Sequence, residues 1–149
     1  MSPPIDLAQA VIDRLTAEVA ALKGVEGALE LADLLGRNIL PPQFPHAFIL
    51  SVGEDAESGN ILTGLLSQRV VETIGVLIVD KRAGDRSGDR TRAGLEPLKT
   101  SVRVALAGWQ PGAGYGPFEE ARARLVGIAG GAGFMQIDFR TDWLIRAAI

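Results

Sequence analysis

The sequence contains no cysteine and only one histidine, His46, among its 149 residues. Without cysteine there is no disulfide and no thiolate metal site. A single imidazole cannot build a multi-histidine metal centre. Covalent cross-links and the common zinc sites are therefore excluded, and we predict neither a metal nor a cofactor.

Long uncharged segments are also scarce. The longest uncharged run, residues 38–53, holds three prolines and is too short to span a bilayer. Asp6, Asp13 and Glu18 near the start are atypical of a signal peptide. We therefore expect a soluble protein that is made in a cytoplasm and has no membrane partner.

The charge balance is nearly even, with a net charge of −3. It gives no general basic excess for a dedicated nucleic-acid binder. Apolar residues make up 47% of the chain, which is high for a small monomer. Such a composition leaves apolar surface that a partner could cover, so we expect a homo-oligomer. The length fits a single domain over residues 1–149.

Apolar periodicity predicts two main helices. The first presents one apolar face and should stop at Gly24. Its face comprises Ala8, Val11, Ile12, Leu15, Val19 and Leu22. The second has Pro97 in its first turn or at a kink, and should end at Gly108. Its spaced apolar positions are Leu95, Leu98, Val102, Leu106 and Trp109.

Alternating or β-branched runs predict strands at residues 25–35, 46–52, 65–82, 118–129 and 134–147. A proline-rich loop is predicted at 41–45, and a turn rich in glycine and acid at 53–60. The order of helix, strands, helix and hairpin indicates an α+β fold. We predict a mostly antiparallel or mixed sheet with two main helices packed on one face.

The stretch "GIAGGAGF", residues 127–134, raises the question of a phosphate-binding loop. Such a loop needs a helix N-terminus directly after the glycines. Here the glycines are followed by a strand pattern, and no "GKS" or "GKT" is present. We interpret residues 130–133 as a hairpin turn, in which glycine supplies positive φ.

Chemistry at His46 is the enzyme alternative. A small hydrolase or ligand-binding domain would need Ser51 or an acid beside this imidazole, and the sequence has no G-x-S-x-G elbow there. A structural hydrogen-bonding role is favoured, and we predict no catalytic residue. Glu54 and Asp55 are interpreted as part of a solvated turn, since their spacing does not match a calcium loop.

The run "KRAGDRSGDRTR", residues 81–92, carries five basic and two acidic residues. It is either a solvated loop or a docking loop that places Arg82, Arg86 and Arg90 against acidic groups of a neighbouring subunit. A nucleic-acid site is a further alternative, although no aromatic residues interleave. Trp109 and Phe118 flank a glycine-rich loop, as members of a buried cluster or as interface anchors.

Three segments together resemble a known family. They are "VLIVDKRAGDRSGDRT", the helix ending in "GWQP", and the closing hairpin ending in "DWLIR". This arrangement resembles the tail terminator proteins of long-tailed bacteriophages and prophages. The resemblance implies a non-enzymatic virion tail protein, assembled in the host cytoplasm. Its copies would form a ring, usually of six, that caps the tail tube and offers a surface to the head connector.

The resemblance also implies that DNA passes through the ring without specific binding. Six copies at −3 each carry a formal charge of −18, which agrees with a repelled polyanion. A closed ring needs two different patches that meet. We predict that Arg82, Arg86 and Arg90 pair with Glu54 and Asp55 of the next copy. The nearest alternative is a head–tail connector or head-completion protein of the same particle.

Overall fold

A computed structural model describes residues 5–81, 89–129 and 131–149 of the chain. The elements of this part are α1 (Leu7–Glu18), β1 (Gly24–Gly27), α2 (Ala28–Gly36), β2 (His46–Ala56), β3 (Asn60–Leu62), β4 (Leu65–Lys81), α3 (Asp89–Leu106), β5 (Glu119–Ala129) and β6 (Ala132–Ala148). Arg82 and Arg86 lie outside the described residues, as does Gly130.

The strands form one six-stranded sheet in the described part of the chain. Its order is β1-β2-β4-β6-β5, and β3 pairs with the start of β4. Strand β1 runs parallel to β2, whereas all other pairs are antiparallel. The predicted α+β fold with a mostly antiparallel, mixed sheet is therefore confirmed.

The two faces of the sheet carry separate apolar clusters, because neighbouring residues of a strand point to opposite sides. Ala47 and Ile49 of β2 join a large cluster with residues of α1 and α3. Phe48 and Leu50 join a smaller cluster with residues of α2. The two main helices thus contribute to one cluster, and the short α2 covers the other face.

Helix α1 matches the predicted apolar face. Asp6 begins it, since its Oδ1 accepts a hydrogen bond of 3.1 Å from the amide of Gln9. Val11 and Leu15 are fully buried. The helix ends at Glu18, earlier than predicted. Gly24 instead begins β1, where a Cβ atom would collide with the His46 ring.

The strand predicted over residues 25–35 is wrong beyond Gly27. From Ala28 the chain forms α2, whose first turn is closed by the Glu30 carboxylate accepting from the amide of Gly27 at 3.1 Å. Leu31 and Leu34, one helical turn apart, face the smaller cluster. The Leu–Glu–Leu alternation that suggested a strand is thus overridden by helix capping and by this turn-spaced pair.

The turn predicted at residues 53–60 is also wrong in part. Strand β2 continues to Ala56, and Glu54 and Asp55 pair with Glu72 and Val71 of β4. Every residue of β2 from Ser51 onward is exposed. No apolar alternation is needed in this exposed part, so the sequence looks like a turn. The backbone nevertheless stays extended, because β4 supplies its hydrogen-bond partners.

The closing hairpin is confirmed. Gly131 in its connection has a φ of +79°, the left-handed region that glycine tolerates best. Gly133 is needed for a different reason, because an added Cβ atom would lie 2.8 Å from Cγ2 of Thr91 and 3.1 Å from Cδ1 of Leu95. Helix α3 therefore approaches β6 closely at this point.

Helix α3 also differs from prediction in where it starts. It is helical from Asp89, so Pro97 lies inside the helix and not in its first turn. The predicted end is confirmed, since the helix stops at Leu106 and Gly108 follows with a φ of +78°.

Candidate assembly interface

The far end of the sheet forms a projecting arm, defined here as residues 51–69 and 142–149. Strand β5 reaches only as far as the pair Glu119 and Arg140, so it does not accompany β6 into the arm. No residue of the arm is buried. The arm is thus a β-ribbon of exposed and half-buried residues, with Trp143 at its base packed against the large apolar cluster.

Arg69 holds the arm together. Its Nε atom lies 2.7 Å from Asp142 Oδ2, and its Nη1 atom lies 2.9 Å from Glu57 Oε2. The amide of Glu57 also donates to the carbonyl of Arg69 at 2.9 Å. One guanidinium therefore joins β4 to β6 and to the residue that directly follows β2.

An acidic group lies where the arm joins the body. Glu72 is only 9% exposed, and its Oε1 accepts a hydrogen bond of 2.8 Å from Trp143 Nε1. Burial raises the pKa of Glu72; the bond from Trp143 opposes this shift, and the neighbouring charge of Glu54 adds to it. The sequence reasoning missed Glu72. The signal was there, because Glu72 lies two residues before Ile74 on the same strand face.

The two predicted acidic residues lie on this arm but diverge. Glu54 is in register with Glu72, and Asp55 with Val71. As neighbours in a strand they point to opposite faces. Both are exposed. The arm thus presents one carboxylate on each face, and Glu54 shares its face with Glu72.

The described flanks of the basic segment lie at the opposite end of the sheet. They are Lys81 at the end of β4 and Arg90, which is exposed in the first turn of α3. Thr91, the next residue, packs near Gly133, which is in register with Asp80. Nine residues separate Asp80 from Val71 along β4, a span of about 30 Å. The structure therefore does not bring Arg90 and Asp55 together within one chain.

The aromatic residues pack inside the subunit. Phe118 is 1% exposed, and its ring centroid lies 5.2 Å from that of Trp109 in an edge-on arrangement. The Arg14 guanidinium stacks over Trp109 at 5.5 Å. Tyr115 is buried beside them, and burial raises its pKa. The subunit core thus accounts for Phe118, whereas Trp109 keeps partial exposure.

The family of this chain follows from its match to a family model. A family model described as "Phage tail terminator protein" matches residues 1–148. This chain belongs to the phage tail terminator family. A chain in the structure titled "Virion of native gene transfer agent (GTA) particle" shares the fold, with a TM-score of 0.60 and 19% identity over 93% of this chain and 95% of that one. No curated protein matches the sequence.

As a member of the tail terminator family, this chain is a structural protein of the virion tail. For the serine–histidine alternative, the structure places an acid, Glu26, beside His46 but keeps Ser51 distant. His46 is buried, with Nε2 2.7 Å from Glu26 Oε1. Ser51 lies five residues further along β2, about 17 Å away, and points to the other face. His46 is a packing residue of β2, because its ring lies against Gly24 of β1 and 4.8 Å from the Phe48 ring, centroid to centroid.

Within residues 5–81, 89–129 and 131–149, no three acidic or histidine side chains gather as metal ligands would. None of the helices described here is both long and apolar enough to cross a membrane.

Proposed function

We propose that copies of this chain form a closed ring, of six subunits, that caps the tail tube. The ring ends tube polymerisation and offers a surface to the head connector. The family assignment over residues 1–148 and the fold shared with a virion chain support this role. Each copy acts as one tail-terminator-like unit over residues 1–149.

The observation that carries the proposal is the separation of charge along the sheet. Glu54 and Asp55 lie on the arm, whereas Lys81 and Arg90 lie about 30 Å away at the other end. A closed ring uses two different patches on each subunit, one meeting the other on the next copy. Opposite charges at opposite ends favour such a head-to-tail contact and set its orientation.

The residues assigned to this contact are Arg82, Arg86, Arg90, Glu54 and Asp55, with Trp109 at its margin. A charge-swap experiment tests it. Arg86→Glu or Asp55→Arg alone should weaken self-association, because each places like charges together. The double variant should restore it. Light scattering after size-exclusion chromatography over a concentration series measures the change.

A matched control for that experiment is Asp13→Arg. Asp13 is exposed on α1, and its carboxylate accepts a hydrogen bond of 3.0 Å from Gln9 Nε2. This reversal changes the net charge as Asp55→Arg does and should leave assembly unchanged. If the double variant never recovers what either single change loses, the assigned pairing is wrong.

The capping function needs a separate test with purified tail tube protein. Adding the chain to growing tubes should shorten them and leave a visible cap at one end in electron micrographs. Tubes that keep their length and bare ends would contradict the proposal. Binding to portal assemblies, with no effect on tubes, would instead identify the connector alternative.

DNA is expected to pass through the ring without specific binding. The net charge of −3 per copy favours repulsion of a polyanion. Affinity for duplex DNA that falls steeply with salt would instead support a nucleic-acid site at residues 81–92.

A further inference from the structure

A cleft of about 600 Å³ lies beside α2, on the body of the subunit. Its apolar lining comes from α2 and from the loop after it, including Leu29, Leu34, Ile39 and Leu40. Leu29 is 84% exposed although it belongs to a well-formed helix. Apolar side chains arranged around a cleft in this way mark a contact surface. We call this feature the α2 cleft.

The rim of the α2 cleft is acidic. Glu26, Glu30 and Asp33 line it, against one guanidinium from Arg37. Asp33 and Arg37 pair with each other at 3.3 Å, which leaves two carboxylates in excess. An occupant with an apolar body and a positive charge at its edge fits this lining.

The arm tip has that composition. We define the tip as residues 60–67 and 145–149, where Arg146 is the only charged residue. Ile61, Leu62 and Ile149 are its most exposed apolar side chains, and Leu62 is 75% exposed. The amide of Ile149 donates to the carbonyl of Gly64 at 2.8 Å, so residue 149 is fixed to the β3–β4 hairpin. The tip is therefore an ordered apolar end with one exposed cation.

The tip and the cleft of one chain cannot meet. Helix α2 packs over Leu77, and the tip begins at Ser67, ten residues away along β4. At 3.4 Å per residue the separation is about 34 Å. Two complementary surfaces held at opposite ends of one subunit fit a head-to-tail contact between copies.

We propose that the arm tip of one copy inserts into the α2 cleft of the next. This inference rests on the ring proposed above and specifies its contact. Leu62 and Ile61 of the tip pack against Leu29 and Ile39, and Arg146 lies beside the acidic rim. The arm also carries Glu54 and Asp55 toward the basic end of that same neighbour, so both contacts require one orientation.

The absence of cysteine allows a direct test by cross-linking. Leu62→Cys combined with Leu29→Cys, treated with a short bismaleimide, should give a ladder of covalent multimers. The matched control combines Leu62→Cys with Val104→Cys. Val104 is 78% exposed on α3, outside the cleft, so its thiol is equally accessible. The control pair should remain mostly monomeric.

Several outcomes would overturn the proposal. Equal ladders from both pairs would show non-specific contact, and a dimer from Leu62→Cys alone would show tip-to-tip packing. No ladder at about 1 mM protein would place the contact weaker than roughly −4 kcal/mol, too weak for a surface built from several leucines.

A mixing experiment gives independent evidence. Leu62→Asp removes the tip contact, and Leu29→Asp removes the cleft contact; both side chains are exposed, so each variant should fold. Each alone should be monomeric. Mixed, they should form one-to-one dimers and nothing larger, since only one intact tip and one intact cleft remain to join. Dimers from either variant alone, or no dimer on mixing, would overturn the proposal.

The failure of this contact and the failure of the proposed function are distinguishable. Capping of tubes by the unmodified chain tests the function without reference to the tip. If tubes are capped but no tip-to-cleft product forms, the contact is wrong and the function stands. If the products form but tubes are never capped, the contact is right and the ring serves another purpose.

Discussion

Replacing Gly133 by alanine tests how closely α3 packs on the sheet. The added Cβ atom would lie 2.8 Å from Cγ2 of Thr91 and 3.1 Å from Cδ1 of Leu95. Both neighbours are fully buried, so neither can move aside freely. Overpacking of this kind costs about 1–3 kcal/mol, whereas the glycine-to-alanine change alone returns about 0.5–1 kcal/mol. We expect a net loss of about 1–2 kcal/mol.

Urea unfolding at low micromolar concentration, where association is weakest, measures this loss. With a slope of about 2 kcal/mol per molar urea, the midpoint should fall by about 0.5–1 M. Gly127→Ala is the matched control on the facing strand, because a Cβ atom there meets nothing within 4 Å. It should be neutral or slightly stabilising. Equal midpoints for the two variants would refute the close-packing argument.

Two predictions concern pH. Burial raises the pKa of Glu72, because the folded protein favours the protonated carboxyl. The stability that this preference contributes is present below pH 4.5 and is lost as pH rises from about 4.5 through the raised pKa. Glu72→Gln keeps an acceptor for Trp143, and should therefore stabilise the fold more at pH 8 than at pH 4 in urea titrations; the reverse order would contradict this. The Arg103 guanidinium lowers the pKa of Glu120, with Nη2 and Oε2 2.8 Å apart, so that contribution is lost as pH falls below about 4.5. Arg103→Gln should lose less stability than the unmodified chain between pH 5 and pH 3; equal losses would rule out the pair as the cause.

The parts of the fold that could be predicted from sequence are those with a strong local pattern. The uninterrupted apolar run at residues 76–79 predicted the buried centre of β4. The spacing of Leu95, Leu98 and Val102 predicted the buried face of α3. The glycines at residues 130–133 predicted the hairpin. In each case neighbours in sequence supply most of the information, through burial period or backbone freedom.

The parts that were missed depend on distant partners. Strand β2 continues through Glu54 and Asp55 because β4 lies beside it. The polar sequence of this stretch does not indicate that a partner strand is present. Helix α2 reads locally as a strand, since Leu29 and Leu31 alternate with Glu30. Its identity is decided by the cap at Gly27 and by packing on the sheet.

The candidate interface was predictable only in its chemistry. The acidic and basic segments are visible in the sequence, but their separation follows from the sheet register. The α2 cleft could not be predicted from the sequence, because the segment that lines it was predicted to be a strand. The arm tip was missed for a related reason: Leu62 and Leu65 look like core residues in the sequence, and only the structure shows that they are 75% and 44% exposed.

Strands β4 and β6 are paired over their whole length, seventeen residues each, from the body to the arm tip. The length of the arm is therefore set by the number of residues in these two strands. Adding two residues to each strand would extend it by about 7 Å with every side chain on its original face, whereas adding one would turn Leu62 and its neighbours over. If the tip joins adjacent copies, the distance that the arm spans between them can change only in steps of two residues per strand, because a single-residue step turns the contact side chains away from the neighbour.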